Sequence, residues 1–171
     1  MAINQMSRKC VSKFNLDSLI NEMPVSKGSF YSHFKNRNEF LVALAHYWDR
    51  RDTDAAIGAF NSLPDDTSPQ DKLWELMHAI YDMKFNRDEM LIRSLTQEFP
   101  EVAEVVESVD KKRLFNVRQL FAEMGFKGDE LEMRTFAFVS LTSQEGNLLL
   151  EQSPEDYERQ LKLRHKFFVR P

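Results

Sequence analysis

The sequence predicts an all-α protein, and three observations carry that expectation. Apolar residues recur at i, i+3, i+4 and i+7 through almost every segment, the spacing of one helix face. No stretch alternates apolar and polar residues as a half-buried strand does, and there is no repeat or low-complexity tract. Only 5 Gly and 6 Pro interrupt 171 residues. Pro24 ends one helical pattern, and Pro69, Pro100 and Pro154 open others.

The elements follow in order. Ile3, Met6, Cys10, Val11 and Phe14 share a face and suggest a shortened first helix. Asn15 is a suitable N-cap for a second, with Leu16, Leu19, Ile20 and Met23 in register. Pro24 stops it. Ser26 can cap a short third helix running to about Ser32. Asn36 caps a fourth, with Glu39 at the reciprocal capping-box position, and this long helix is expected to continue to about Ala59. "LPDDTSP" is a loop. Ser68, Pro69 and Asp71 start a helix whose stripe is Leu73, Trp74, Met77, Ile80, Tyr81 and Lys84/Phe85. A short helix covers about 88 to 97. Pro100 opens a long one through Val102, Val105, Val106, Val109, Val117, Leu120, Phe121 and Met124, stopped by Gly125. The next runs over about 129 to 150. Its "FAFVSL" is apolar nearly all round, which predicts burial on more than one side. Ser153 and Pro154 open a last helix that ends near Val169.

Composition excludes several classes. Hydrophobic content of 42% and a mean hydropathy of -0.50 suit a globular chain. No apolar run approaches the ~18 residues of a membrane helix, and "MAINQMSRKC" lacks the apolar stretch of a secretory signal. A single cysteine, Cys10, leaves no disulfide framework, so a cytoplasmic setting is expected. The formal net charge is -4, but it is unevenly spread. Through Arg37 there are six Lys or Arg (Arg8, Lys9, Lys13, Lys27, Lys35, Arg37) against Asp17 and Glu22, a local +4 that leaves -8 for the rest. A basic segment on an acidic body suggests that the N-terminal part alone meets a polyanion. The four histidines, His33, His46, His78 and His165, lack metal-ligand spacing, so no metal and no cofactor are expected. No phosphate loop or nucleophile elbow is present, and an enzyme is not expected.

Two sets of side chains invite a function. "VSKGSFYSHF" makes the second helix of a helix-turn-helix layout. Its N-terminal N–H groups suit a phosphate, and Ser26 and Lys27 stand there. Gly28 removes bulk that would hold a duplex away. Ser29, Tyr31, Ser32 and His33 offer polar groups to phosphates and base edges, and Lys35 adds charge. Phe30 and Phe34, at i and i+4, share a face and should anchor the helix inward. The alternative is a capped surface helix with an aromatic anchor. The second set is a candidate small-molecule pocket. It comprises Trp74, Met77, His78, Tyr81, Phe85, Phe99, Phe115, Arg118 and Phe121, of which His78, Tyr81 and Arg118 could orient a ligand on an apolar face. These residues can equally be core.

"LDSLINEMPVSKGSFYSHFKNRNEFLVAL" resembles the second to fourth helices of the TetR-type transcriptional regulators. "RDEMLIRSLTQEFPEVAEVVESVDKKRLFNVRQLFAEMGF", "MRTFAFVS" and "QEG" resemble the ligand-binding domain of one common subgroup. The resemblance implies a small helix-turn-helix domain, residues 1–36, joined by a long helix to a larger helical ligand-binding and dimerisation domain, 37–171. It implies a homodimer through the last two helices, a double-stranded DNA operator, a small-molecule effector, and most often a repressor. Lys27, Ser29, Tyr31 and His33 match DNA-facing positions, and Arg37 stands where a phosphate-contacting lysine is common. The chain departs from the pattern in its short first helix and in Pro24, which replaces a usual glycine. Proline cannot adopt a positive φ, so a distorted turn and weakened DNA contact are expected. The alternative function is a dimeric small-molecule-binding or interaction protein whose helix-turn-helix no longer works.

Overall fold

The computed structural model describes residues 20–21, 24–82, 86–144 and 153–170. The expected first helix, Cys10, most of the second helix, Phe85 and 145–150 lie outside the described residues. Every regular element among the described residues is helical. They are α1 (Lys27–His33), α2 (Arg37–Asp49), a π-helical turn (Arg50–Asp54), α3 (Ala55–Asn61), α4 (Pro69–Asp82), α5 (Asn86–Leu95), α6 (Pro100–Glu123), α7 (Gly128–Gln144) and α8 (Pro154–Val169).

Local chemistry sets the boundaries. Ser26, Asn36, Ser68 and Ser153 each accept from the N–H three residues on, at 3.1, 2.9, 3.1 and 3.1 Å. Each satisfies a first-turn donor that has no partner within its helix. At the end of α6, Gly125 takes φ 96. Its N–H donates to Ala122 O, and Phe126 N–H donates to Phe121 O. This is the left-handed helix stop that glycine permits without a Cβ penalty.

The chain forms two compact units, Met1–Arg51 with Arg87–Val109, and Asp52–Asn86 with Asp110–Pro171. The first has a core of Ile20, Phe30, Phe40, Leu41, Leu44, Ala45 and Trp48 with Leu91, Ile92, Leu95 and the Val102–Val109 face of α6. The second is built on Leu73, Met77, Val117, Leu120, Phe121, Phe126, Leu131, Phe138, Val139, Leu161 and Phe168. These compact units are a different cut from the division expected at residue 36.

The helix from Asn36 continues past Ala59 to Asn61 as expected, and within it the chain widens into the π turn at Arg50–Asp54. Within the turn, Asp52 and Thr53 are buried. Arg113 Nε donates to Thr53 Oγ1 at 3.0 Å and Nη1 to Ser143 Oγ at 3.2 Å, while Lys112 pairs with Asp54 at 2.6 Å. Buried polar groups need such partners, and all of these stand on elements far along the chain. One expectation, the burial of "FAFVSL" on more than one side, needs correcting: it is buried on one side only. Phe138 and Val139 are buried, whereas Phe136 is 61% and Leu141 39% exposed. Among the described residues, no second layer covers that face.

Arg134 ties the second unit together. Its Nη1 donates to Phe167 O at 3.1 Å and Phe168 O at 2.9 Å, and its Nη2 to Arg170 O at 2.7 Å. The last carbonyls of α8 are thus capped by a cation from α7, which Glu130 holds at 2.6 Å and which lies 4.0 Å from the Phe126 ring centre.

Arg134→Met should therefore cost about 1–3 kcal/mol in urea unfolding, because several carbonyls lose a charged donor. Lys162→Met, which loses only an exposed pair to Glu158, should cost less than about 1 kcal/mol. Phe121→Ala, in the centre of the second core, should cost about 3–5 kcal/mol in the same measurement.

Candidate functional site

The helix α1, expected to read DNA, is seven residues long, too short to be stable alone. Its position is set by ring packing. Phe30 is 3% exposed, and its ring lies 5.2 Å from Phe34 and 5.1 Å from Phe40, with Phe34 and Phe40 also 5.2 Å apart. Offset and edge contacts at these distances are favourable for aromatic pairs. The Asn36 cap and a 2.7 Å bond from Lys35 N–H to Glu39 Oε2 fix the turn into α2. Glu39 reaches the residue before the cap rather than the cap itself, a one-residue shift from the usual reciprocal box.

With Phe30 turned inward, Lys27, Gly28, Ser29, Tyr31, Ser32 and His33 are all exposed. Tyr31 is 47% exposed while its ring edge rests 5.4 Å from Phe30. Ser26 and Lys35 are exposed as well. Two of the polar groups already have work inside the helix. Ser26 Oγ accepts from Ser29 N–H, and Ser32 Oγ donates to Ser29 O at 2.7 Å. Arg37 differs from the others: it is half-buried, its guanidinium 4.9 Å from the Phe99 ring centre, a cation–π arrangement. Pro24 lies in an exposed turn. The distortion expected there involves residues 22 and 23, outside the described residues.

The candidate effector residues divide. Trp74, His78 and Tyr81 share one face of α4, which meets α8, although Tyr81 remains 38% exposed. Trp74 meets His78 at 4.5 Å and His165 at 5.2 Å between ring centres. Tyr81 stacks on Tyr157 at 3.9 Å with an interplanar angle of 18°. His78 Nε2 lies 4.0 Å from the Glu158 carboxylate, too long for a direct hydrogen bond. His165 Nε2 lies 2.8 Å from Gln70 O and donates to it when the ring proton is on that nitrogen. Met77 and Phe121 are in the core. Phe115 points outward at 63% exposure, and Arg118 is in an exposed 2.8 Å pair with Glu132. Phe99 packs in the first unit.

An open groove of ≈ 430 Å³ lies elsewhere in the second unit, lined by Arg134, Leu163, Lys166, Phe167 and Arg170. None of the candidate effector residues lines it. Sequence reasoning missed this groove and the polar cluster at the π turn. The charged run "RRDTD" in mid-helix was the one local sign of the latter, since a buried helix face rarely carries it. Among the described residues, no three His, Cys, Asp or Glu are grouped to hold a metal ion. No described helix is long and apolar enough to cross a membrane.

No family model matches the sequence, and no curated protein matches it. The structure is similar to the crystal structure of a TetR family transcriptional regulator, PfmR from Thermus thermophilus. The TM-score is 0.78 at 15% identity, over 99% of this chain and 94% of that one. At that identity the likeness speaks for the architecture alone: the chain has the fold of a TetR family transcriptional regulator.

Proposed function

We propose that the chain is a DNA-binding transcriptional regulator that works as a homodimer. One observation carries the reading. α1 buries Phe30 and leaves Lys27, Ser29, Tyr31 and His33 together on its open side. A short helix with one aromatic anchor and a polar outer face suits the major groove, which admits a helix and is read by side-chain donors and acceptors. Residues 1–36 act as the DNA-binding domain. The first compact unit extends beyond it because α2, α5 and the start of α6 brace the reader. Residues 37–171 act as the ligand-binding and dimerisation domain.

The dimer reading is supported by apolar side chains that the single chain leaves uncovered on α7 and α8. Met133, Phe136, Leu163 and Phe167 are 63%, 61%, 60% and 69% exposed. A cluster of large apolar groups at that exposure favours an interface. A second copy presents the same face, as an isologous contact requires. The effector is a small molecule acting through Trp74, His78 and Tyr81. A ligand entering there must part α4 from Tyr157 and His165 on α8, the helix that also carries Leu163 and Phe167. Effector binding and the geometry of the dimer are thereby joined on one element, and the dimer sets the spacing of two reader helices on half-sites about 34–36 Å apart. On this reading the protein is a repressor released by its effector.

A gel-shift with duplex DNA from upstream of its own gene, across a salt series, should show binding that weakens steeply as salt rises. Lys27→Ala should lower the slope of log K against log salt by about 0.9 if it meets one phosphate. Tyr31→Ala should weaken binding about tenfold or more with the dimer intact, the loss of ~1–3 kcal/mol for a good base or backbone contact. Binding to no duplex at any salt would leave the dimeric ligand-binding protein as the better reading. Phe136→Asp combined with Phe167→Glu should convert the dimer to a folded monomer in sedimentation equilibrium, because both positions are exposed in the single chain and their replacement leaves its core intact.

A further inference from the structure

We propose that the effector is a planar aromatic molecule bearing a hydroxyl group, whose ring enters between Tyr81 and Tyr157 and whose hydroxyl bridges His78 and Glu158. This rests on the effector reading above and names the chemistry of that site.

Rings line the seam between α4 and α8. Trp74 stands edge-on to His78 at 65° and to His165 at 74°, which holds both imidazoles in place. Further along, Tyr81 lies nearly flat on Tyr157, with 3.9 Å between ring centres. Tyr81 is 38% exposed, so this stack opens to solvent. A flat ring slipped into it gains a face contact on each side and replaces the one it breaks. An aliphatic ligand has no such match to two parallel π faces.

The polar part of the ligand is set by His78. Its side chain is 31% exposed as a whole, yet Nε2 is buried and has no hydrogen-bond partner among the described residues. A buried polar atom without a partner is costly. Glu158 Oε2 lies 4.0 Å away, too far to bond it directly. One oxygen fits the gap: placed about 2.8 Å from both atoms, it sees them at an angle of about 90°. That oxygen must donate to the carboxylate, which only accepts, and must accept from an imidazole N–H. A hydroxyl does both. A methyl ether cannot donate, and a carboxylate brings a second negative charge against Glu158. A cation finds its place taken, because Lys162 Nζ already lies 3.3 Å from Glu158 Oε1. A water can meet the same geometry, which is why a hydroxyl is tested below against its ether. Tyr81 stands three residues from His78, a rise of about 4.5 Å along α4, so a two-ring phenol can reach the gap from the stack.

The test measures uptake of 2-naphthol, 2-methoxynaphthalene and 2-naphthoate by the full chain in equilibrium dialysis. 2-Naphthol should bind about tenfold more tightly than either of the others, since only it makes both hydrogen bonds. His78→Phe should remove the preference over the ether, because it keeps a ring against Trp74 and takes away the nitrogen. Glu158→Gln should narrow the preference over the carboxylate, because the repelling charge is gone. Glu158 is 41% exposed, so this variant keeps its fold whatever His78→Phe does. Tyr157→Leu should weaken 2-naphthol about tenfold through the lost stacking face. A merely structural role for His78 and Glu158 leaves the ratios between ligands unmoved. Equal affinity for 2-naphthol and its ether, or ratios untouched by His78→Phe and Glu158→Gln, overturns the hydroxyl bridge. Binding that Tyr157→Leu leaves unchanged overturns the ring insertion. A chain that binds 2-naphthol through Tyr157 yet shifts no duplex keeps this site and overturns the regulator reading. A chain that shifts DNA and takes up no 2-naphthol keeps that reading and overturns this ligand class.

Discussion

The burial of Phe30 between Phe34 and Phe40 is the contact on which α1, the proposed reader, depends. A seven-residue helix lacks the length to persist in water, so α1 exists because its inner face is held. The three rings stand 5.1–5.2 Å apart. The caps at Ser26 and Asn36 then fix where the helix begins and how the chain turns out of it. Everything exposed on α1 inherits its direction from that one buried ring, because side chains on a helix keep fixed angular offsets from each other. Arg37, stacked over Phe99, links the start of α2 to the residue before α6 and extends the same bracing.

The second unit answers to a different constraint: the described residues do not bury all that α7 and α8 offer. Its interior is filled by Phe121, Phe126, Phe138 and Phe168, whose rings lie 5.2–6.0 Å apart. Arg134 locks the end of α8 onto α7 through three carbonyl oxygens. What remains outside on α8 is acidic at its start and basic toward its end, with Leu163 and Phe167 uncovered along it. A face of that kind is costly to leave in water. The covering of α4 by Tyr157 and His165 places the candidate effector residues on the inner side of this same helix.

Much of this was legible locally. The caps at Ser26, Asn36, Ser68 and Ser153, the stop at Gly125 and the inward anchors Phe30 and Phe34 follow from short-range hydrogen bonding and from i, i+4 spacing. Phe40 went unread, because its part in the cluster depends on how the turn at Phe34–Asn36 folds back. The effector set was the least legible. Trp74, Met77, Phe115 and Phe121 look alike in sequence, yet Met77 and Phe121 are core, Phe115 is exposed and Trp74 lies under α8.

The sequence by itself determined the all-helical class, the order and ends of most elements, and which side chains of α1 face out. Each is decided within a few residues along the chain, by capping, periodicity and the conformational limits of proline and glycine. Only the tertiary structure decided the widened turn at Arg50–Asp54, where partners from α6 and α7 satisfy buried polar groups. It also decided that "FAFVSL" has one open side, and that Arg134 caps a helix more than thirty positions away. Periodicity defines a face of a helix but not what covers it. A buried hydroxyl or guanidinium is stable only when a distant residue arrives to meet it.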